Sequence, residues 1–209
     1  MRRLVVLSLF SGMFFIFFGK SANSQTKEAS SRQLSVYTSG AHKFTISYNG
    51  TLVRESNDEY VIKQVASDGM INRNEVHVFV TQRPFVYLPG TYGGRYYYDP
   101  SKRPSTSSDF VRADSVTVNG LRFARDYWAV YAGMGQWETV DNCYALENGQ
   151  YYTISLTQDF KTAMPGEKVN GVATSKSQIR ASLIDEMRDS TSANVKSFNQ
   201  ILRSFSITK

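Results

Sequence analysis

The chain of 209 residues carries 24 basic and 18 acidic residues, one cysteine, and 13 each of tyrosine and phenylalanine. A formal charge of +6, with the bases scattered and no dense Lys/Arg run, speaks against a nucleic-acid footprint. A single cysteine excludes an intramolecular disulfide framework, and the length suits one domain with a sizeable core.

Residues 1–24 read as a secretory signal: Arg2 and Arg3 open it, an apolar run spans Leu4 to Gly19, and Ala22-Asn23-Ser24 closes it. Cleavage is expected before Gln25. The run falls short of the roughly 20 residues that cross a bilayer, so release is preferred to a retained anchor and no span is expected in the mature form. Arg2-Arg3 reads as ordinary signal charge and not as a twin-arginine motif. No cysteine stands at the cleavage site for lipid attachment. Removal takes three bases (Arg2, Arg3, Lys20) and no acid from the formal +6, leaving +3 on an exported, periplasmic or secreted protein.

Residues 25–33 are polar and aperiodic, a flexible leader, and a single domain is expected over 34–209. Phe44, Ile46 and Tyr48 alternate on one strand face, and Asn49-Gly50 is expected to turn that strand into a hairpin with Thr51 to Glu55. The same Asn49-Gly50-Thr51 is a formal glycosylation sequon, but the flanking strands favour the turn. Strands follow over Tyr60 to Ala66 and Glu75 to Thr81, the latter with Val76, Val78 and Val80 on one side and His77 and Phe79 on the other. Asp114 to Val118 and Leu121 to Tyr131 flank Asn119-Gly120, and Trp137 to Leu146 and Tyr151 to Gln158 flank Asn148-Gly149. Three Asn-Gly signals between strand-like runs point to an antiparallel meander.

The period then becomes helical. Ile179, Leu183, Ile184 and Met187, with Ser175 and Gln178 placed as a capping box, predict a helix over 176–189. Val195, Phe198, Ile201 and Leu202 predict a second over 193–202, and Phe205 and Ile207 a short last strand. The fold class expected is α+β, a central antiparallel sheet of about six to eight strands with helices packed on it.

Phe44-x-Ile46-x-Tyr48 near the domain start, an Asn-Gly hairpin feeding a long aromatic strand, Tyr-Tyr-Thr-Ile-Ser-Leu at 151–156, and a last helix running into Ile201-Leu202-Arg203-Ser204-Phe205 together resemble the PsbP-like proteins. That family is named for an extrinsic subunit of photosystem II and is widespread as exported bacterial proteins. The resemblance spans about Leu34 to Lys209. It implies an α/β/α sandwich and a role in binding or assembly without chemistry, and it transfers no site residues.

Candidates for chemistry are few. No His-Glu-x-x-His, Gly-x-Ser-x-Gly, P-loop or Cys-x-x-Cys occurs, and no cofactor or metal is expected. His77 and Cys143, both on expected strands, suggest a thiol-imidazole pair, against which Cys143 reads more simply as a small buried hydrophobe. His42 is expected on a solvated edge. Asp126, Glu138 and Asp141 offer carboxylates for glycoside cleavage, though alternate polar positions on a sheet commonly face water. Asn57, Asp58 and Glu59 offer oxygens to calcium but lack the spacing of a binding loop and read as a turn.

The segment 83–110 stands apart and has no counterpart in the common PsbP-like pattern. It holds Arg83, Phe85, Tyr87, Tyr92, Arg95, Tyr96, Tyr97 and Tyr98, punctuated by Pro84, Pro89, Pro100, Pro104 and by Gly90, Gly93 and Gly94. A connection of about 28 residues exceeds the usual length, and such loops tend to be functional or disordered. Tyrosine area and arginine forks suit a protein or cell-envelope partner. The alternatives are a flap packed on an open sheet face, and a carbohydrate-active hydrolase or carbohydrate-binding domain that uses the strand carboxylates and loop tyrosines. Partner identity and oligomeric state stay open.

Overall fold

The computed structural model describes residues 34–64, 71–83, 110–112, 115–169 and 172–208, all within a compact unit of residues 33–209. The chain runs β1 (Ser35–Ser39), β2 (Phe44–Tyr48), β3 (Thr51–Arg54), β4 (Glu59–Lys63), β5 (Ile71–Thr81), β6 (Phe110–Arg112), β7 (Val116–Val118), β8 (Leu121–Gly133), β9 (Gln136–Glu147), β10 (Gln150–Lys161), β11 (Lys168–Val169), β12 (Val172–Ala173), α1 (Lys176–Arg188), α2 (Ala193–Ser204) and β13 (Ser206–Ile207). The large antiparallel sheet has the order β3-β4-β5-β10-β9-β8-β6, with β7 also on β8. A small sheet has the order β1-β2-β13, and β11 pairs with β12. The chain is thus of the α+β class, a central antiparallel sheet flanked by helices.

Alternation along the strands decides the layers, because successive side chains of a strand point to opposite faces. Val76, Val78 and Val80 of β5 share one face with Tyr152, Ile154 and Leu156 of β10 and with Cys143 and Ala145 of β9. Phe198, Ile201, Leu202 and Phe205 from the C-terminal end of the chain, and Phe44 and Ile46 of the small sheet, pack onto it. Farther along the same face, Tyr127, Trp137 and Phe160 meet Ile179, Leu183, Ile184 and Met187 of α1. Strands of 12 residues reach about 40 Å, long enough to carry two cores end to end. Both described helices therefore cover one face.

Between the cores lies a buried polar band. Asp141 is wholly buried and accepts two hydrogen bonds from Arg125, from Nε at 2.9 Å and from Nη2. Beside it, Asn74 Nδ2 donates to Asn194 Oδ1 of α2 at 3.0 Å. The Arg125 guanidinium also sits over the rings of Tyr127, at 5.2 Å, and Phe198, at 5.8 Å. Polar groups in this position set the seating of α2, since an unsatisfied one would cost stability.

The helices match their sequence signals. Ser175 Oγ accepts from the Gln178 N–H and Gln178 Oε1 accepts from the Ser175 N–H, the reciprocal box that starts α1. Two of the three Asn-Gly turns make hairpins: Asn119 and Gly120 (φ 49° and 84°) join β7 to β8, and Asn148 and Gly149 (φ 51° and 76°) join β9 to β10. The third does not. Both edges of β2 are taken, by β1 and β13, so β3 leaves to pair with β4, and Asn49-Gly50 carries the chain from one sheet to the other. Strand β5 begins at Ile71, four residues before its expected start.

Candidate functional site

The second face of the large sheet is built from the opposite positions of the same strands. The register sets His77 opposite Ser155, Ser155 opposite Asn142, and Asn142 opposite Asp126, a polar row across β5, β10, β9 and β8. All four are buried, as are Val61, Phe79 and Trp128 on that face. His77 lies between two carboxylates, Nδ1 at 3.1 Å from Glu59 Oε1 and Nε2 at 3.6 Å from Glu75 Oε2, with its ring stacked on Phe79. Burial opposes the imidazolium, but the hydrogen bond to Glu59 and the polar contact and charge of Glu75 outweigh it and raise the His77 pKa. The Glu75 carboxyl is held below its ordinary value, chiefly by its close polar contact with His77.

This arrangement resembles a hydrolytic relay in composition but not in geometry. Ser155 Oγ donates to Asn142 Oδ1, and both His77 nitrogens face glutamates, so the serine and histidine that the register places opposite each other form no nucleophile-base pair. Trp128 Nε1 donates to Asp126 Oδ1 at 3.2 Å. Arg73 Nη2 donates to Asp159 Oδ1 at 2.9 Å and also to Glu138.

The residues singled out in the sequence separate accordingly. Asp126 and Glu138 lie on the polar face, whereas Asp141 lies on the helix-covered face in the grip of Arg125. Asp126 stands beside Asn142, four residues along β9 from Glu138, so their backbones are about 14 Å apart. The carboxylate reading therefore fails as a triplet. Cys143 and His77 point to opposite faces, which rules out a thiol-imidazole pair, and burial followed by the Asp141 charge pushes the Cys143 thiol well up. His42 is half-buried and not on a solvated edge, with Nε2 at 2.7 Å from Asn57 O. Asn57 and Asp58 form a bend, while Glu59 turns inward to His77. Among the described residues no cluster of histidine, cysteine and carboxylates is placed to hold a metal ion.

Of the eight loop candidates, Arg83 is described: it is exposed just past the end of β5, where its carbonyl accepts from Thr81 Oγ1 at 2.6 Å. Phe85, Tyr87, Tyr92, Arg95, Tyr96, Tyr97 and Tyr98 lie outside the described residues, as do the signal and the leader. Sequence reasoning missed the Glu59–His77–Glu75 triad and the Arg125–Asp141 pair. One signal was available against the carboxylate triplet: Glu138 and Asp141 differ by an odd number within one strand and so face opposite ways.

The sheet, with its helix-covered face and its buried polar face, defines an α+β protein. No protein-family model matches the chain, and no curated protein matches it. Among solved structures it is similar to a protein of Bacteroides thetaiotaomicron (7% identity, TM-score 0.44), over 83% of this chain and 48% of that one, so it spans about half of that protein's length. It is also similar to the Ran-binding protein Mog1p of Saccharomyces cerevisiae (7% identity, TM-score 0.44, 85% and 96% of the two chains). A third is the cyanobacterial PsbP of Synechocystis sp. (9% identity, TM-score 0.34, 83% and 92% of the two chains).

Proposed function

We propose that the chain is an exported binding or assembly-accessory protein, without chemistry of its own, that engages a protein or an envelope component through the segment 83–110. The observation that carries this reading is where the segment is anchored. It leaves β5 near the middle of the large sheet and returns as β6 at its far edge, beyond β10, β9 and β8, about 19 Å away across the strands. The two ends of this connection are held by the sheet, and its tyrosine and arginine content suits a broad contact with a partner. No described helix is long and apolar enough to cross a membrane.

A second reading, that 83–110 is a packing flap, is supported by the burial of Val61, Phe79 and Trp128 on the face away from both described helices, at 3%, 4% and 5% exposure. Photo-crosslinking separates the two. A benzophenone side chain at Tyr97 is expected to give a discrete intermolecular adduct with the envelope fraction, and one at the exposed Met134 is expected to give none. Adducts at neither position, or equally at both, contradict a binding role for the segment.

A further inference from the structure

The large sheet is forked at one end. Strand β8 begins at Leu121 and β9 runs to Glu147, yet their pairing stops at Ala124 opposite Tyr144. Residues 121–123 pair instead with β7, and residues 145–147 with β10. In a two-residue hairpin the flanking pair exchanges its main-chain hydrogen bonds, so Leu121 and Glu147 direct theirs toward their own hairpin partners. The alternate residues, Arg122 and Leu146, then direct N–H and C=O into the fork from its two sides, and they are not paired with each other. Both are exposed, Leu146 at 56%.

At the mouth of this fork is an open cleft of about 320 Å³. Its floor is apolar, made by buried Phe205 and half-buried Leu121 and Ile207, and its rim carries Asn119, Glu147 and Asn148. The Asn119 turn is pinned, because Nδ2 donates to Phe205 O at 2.7 Å and to Arg203 O at 3.3 Å. Glu147 is the charged residue of the lining, is exposed, and makes no ion pair among the described residues. Strand β13, paired with β2, lays Ser206 and Ile207 along the cleft.

We propose that the fork is a docking site for an extended peptide segment of a partner protein that carries a basic side chain next to an aliphatic one. The segment adds as a strand to an edge that no described strand occupies, its main chain paired by Arg122 or Leu146. The aliphatic side chain fills the Phe205 floor, which has room for one or two side chains, and the basic one meets Glu147. A lone carboxylate on the rim selects for cations, and rigid turns on both sides hold the groove in shape before binding. Thr81 at the end of β5 stands opposite Tyr151, which stands opposite Leu146, so segment 83–110 leaves the sheet at the same end as the fork, while the docking site is built from the fork's own residues.

A library of acetylated, amidated heptapeptides scanned with Lys, Glu, Leu and Ser tests it against the purified protein. Lys is expected over Glu by roughly tenfold at one position next to a Leu preference, as for a charge-assisted contact. Glu147→Lys is expected to reverse the choice to Glu, and Glu147→Gln to abolish it. Because Glu147 flanks an exposed turn, both variants should keep the parent melting temperature. Amide shifts on titration with the selected peptide should centre on Asn119, Arg122, Leu146 and Glu147. Absence of selection, a Lys preference that survives Glu147→Lys, or shifts centred elsewhere overturns the proposal.

Discussion

At the scale of single residues, the charges buried between the two cores are the most consequential. Arg125 and Asp141 satisfy each other: burial works against the guanidinium charge, and the Asp141 carboxylate more than offsets it. The same environment pushes the Tyr127 hydroxyl up to about 12. Asp141→Ala leaves a buried guanidinium facing no carboxylate and should cost about 3–5 kcal/mol in urea denaturation. The double variant Arg125→Met/Asp141→Leu should recover most of that loss. On the other face, His77 should titrate above the ordinary imidazole value of about 6.5 when followed by NMR. Its pKa is raised on folding, so its contribution to stability is full below about pH 6.5 and is lost as pH rises through the folded value. Glu75 has the opposite sign: its pKa is lowered, so its contribution is present above about pH 4.3 and is lost as pH falls through the depressed value. His77→Gln should remove the alkaline part of this profile, and an unchanged profile would show that the triad is not its source.

At the scale of elements, local signals were legible where local chemistry decides the outcome. Ser175 and Gln178 announce α1 because a capping box is a reciprocal contact within one turn. Asn119-Gly120 and Asn148-Gly149 announce hairpins because paired left-handed residues match strand twist. Asn49-Gly50 carries the same letters and a different outcome, since the choice of partner strand is made by distant β1 and β13. The two glycines differ in a way that can be measured. A Cβ on Gly50 (φ 117°) would lie 2.3 Å from the Lys63 carbonyl oxygen, whereas one on Gly149 (φ 76°) meets nothing within 4 Å. Gly149→Ala should cost about 1 kcal/mol for its left-handed backbone. Gly50→Ala should cost roughly 3 kcal/mol or more, because backbone must also shift. Equal costs in thermal unfolding would contradict the role given to Gly50 as the joint between sheets.

At the scale of the whole molecule, the α+β class and the helix-covered face could be read from periodicity, since Val76, Val78 and Val80 alternate and Ile179, Leu183, Ile184 and Met187 recur at helical spacing. The candidate sites could not. Glu59 looked like part of a turn until β4 paired with β5 and brought it to His77, and Asp126, Glu138 and Asp141 formed a group only while their faces were unknown. Long-range register, which no local pattern encodes, sorted each of them. The proposed role of segment 83–110 is to bind a partner. Its most direct test is the triple variant Tyr96→Ser/Tyr97→Ser/Tyr98→Ser, followed for both partner recovery and melting temperature. Binding predicts that recovery of the crosslinked partner, with the benzophenone moved to Arg83, falls at least tenfold while the melting temperature stays within about 2 °C of the parent. Unchanged recovery, or a melting temperature about 10 °C lower, would contradict it.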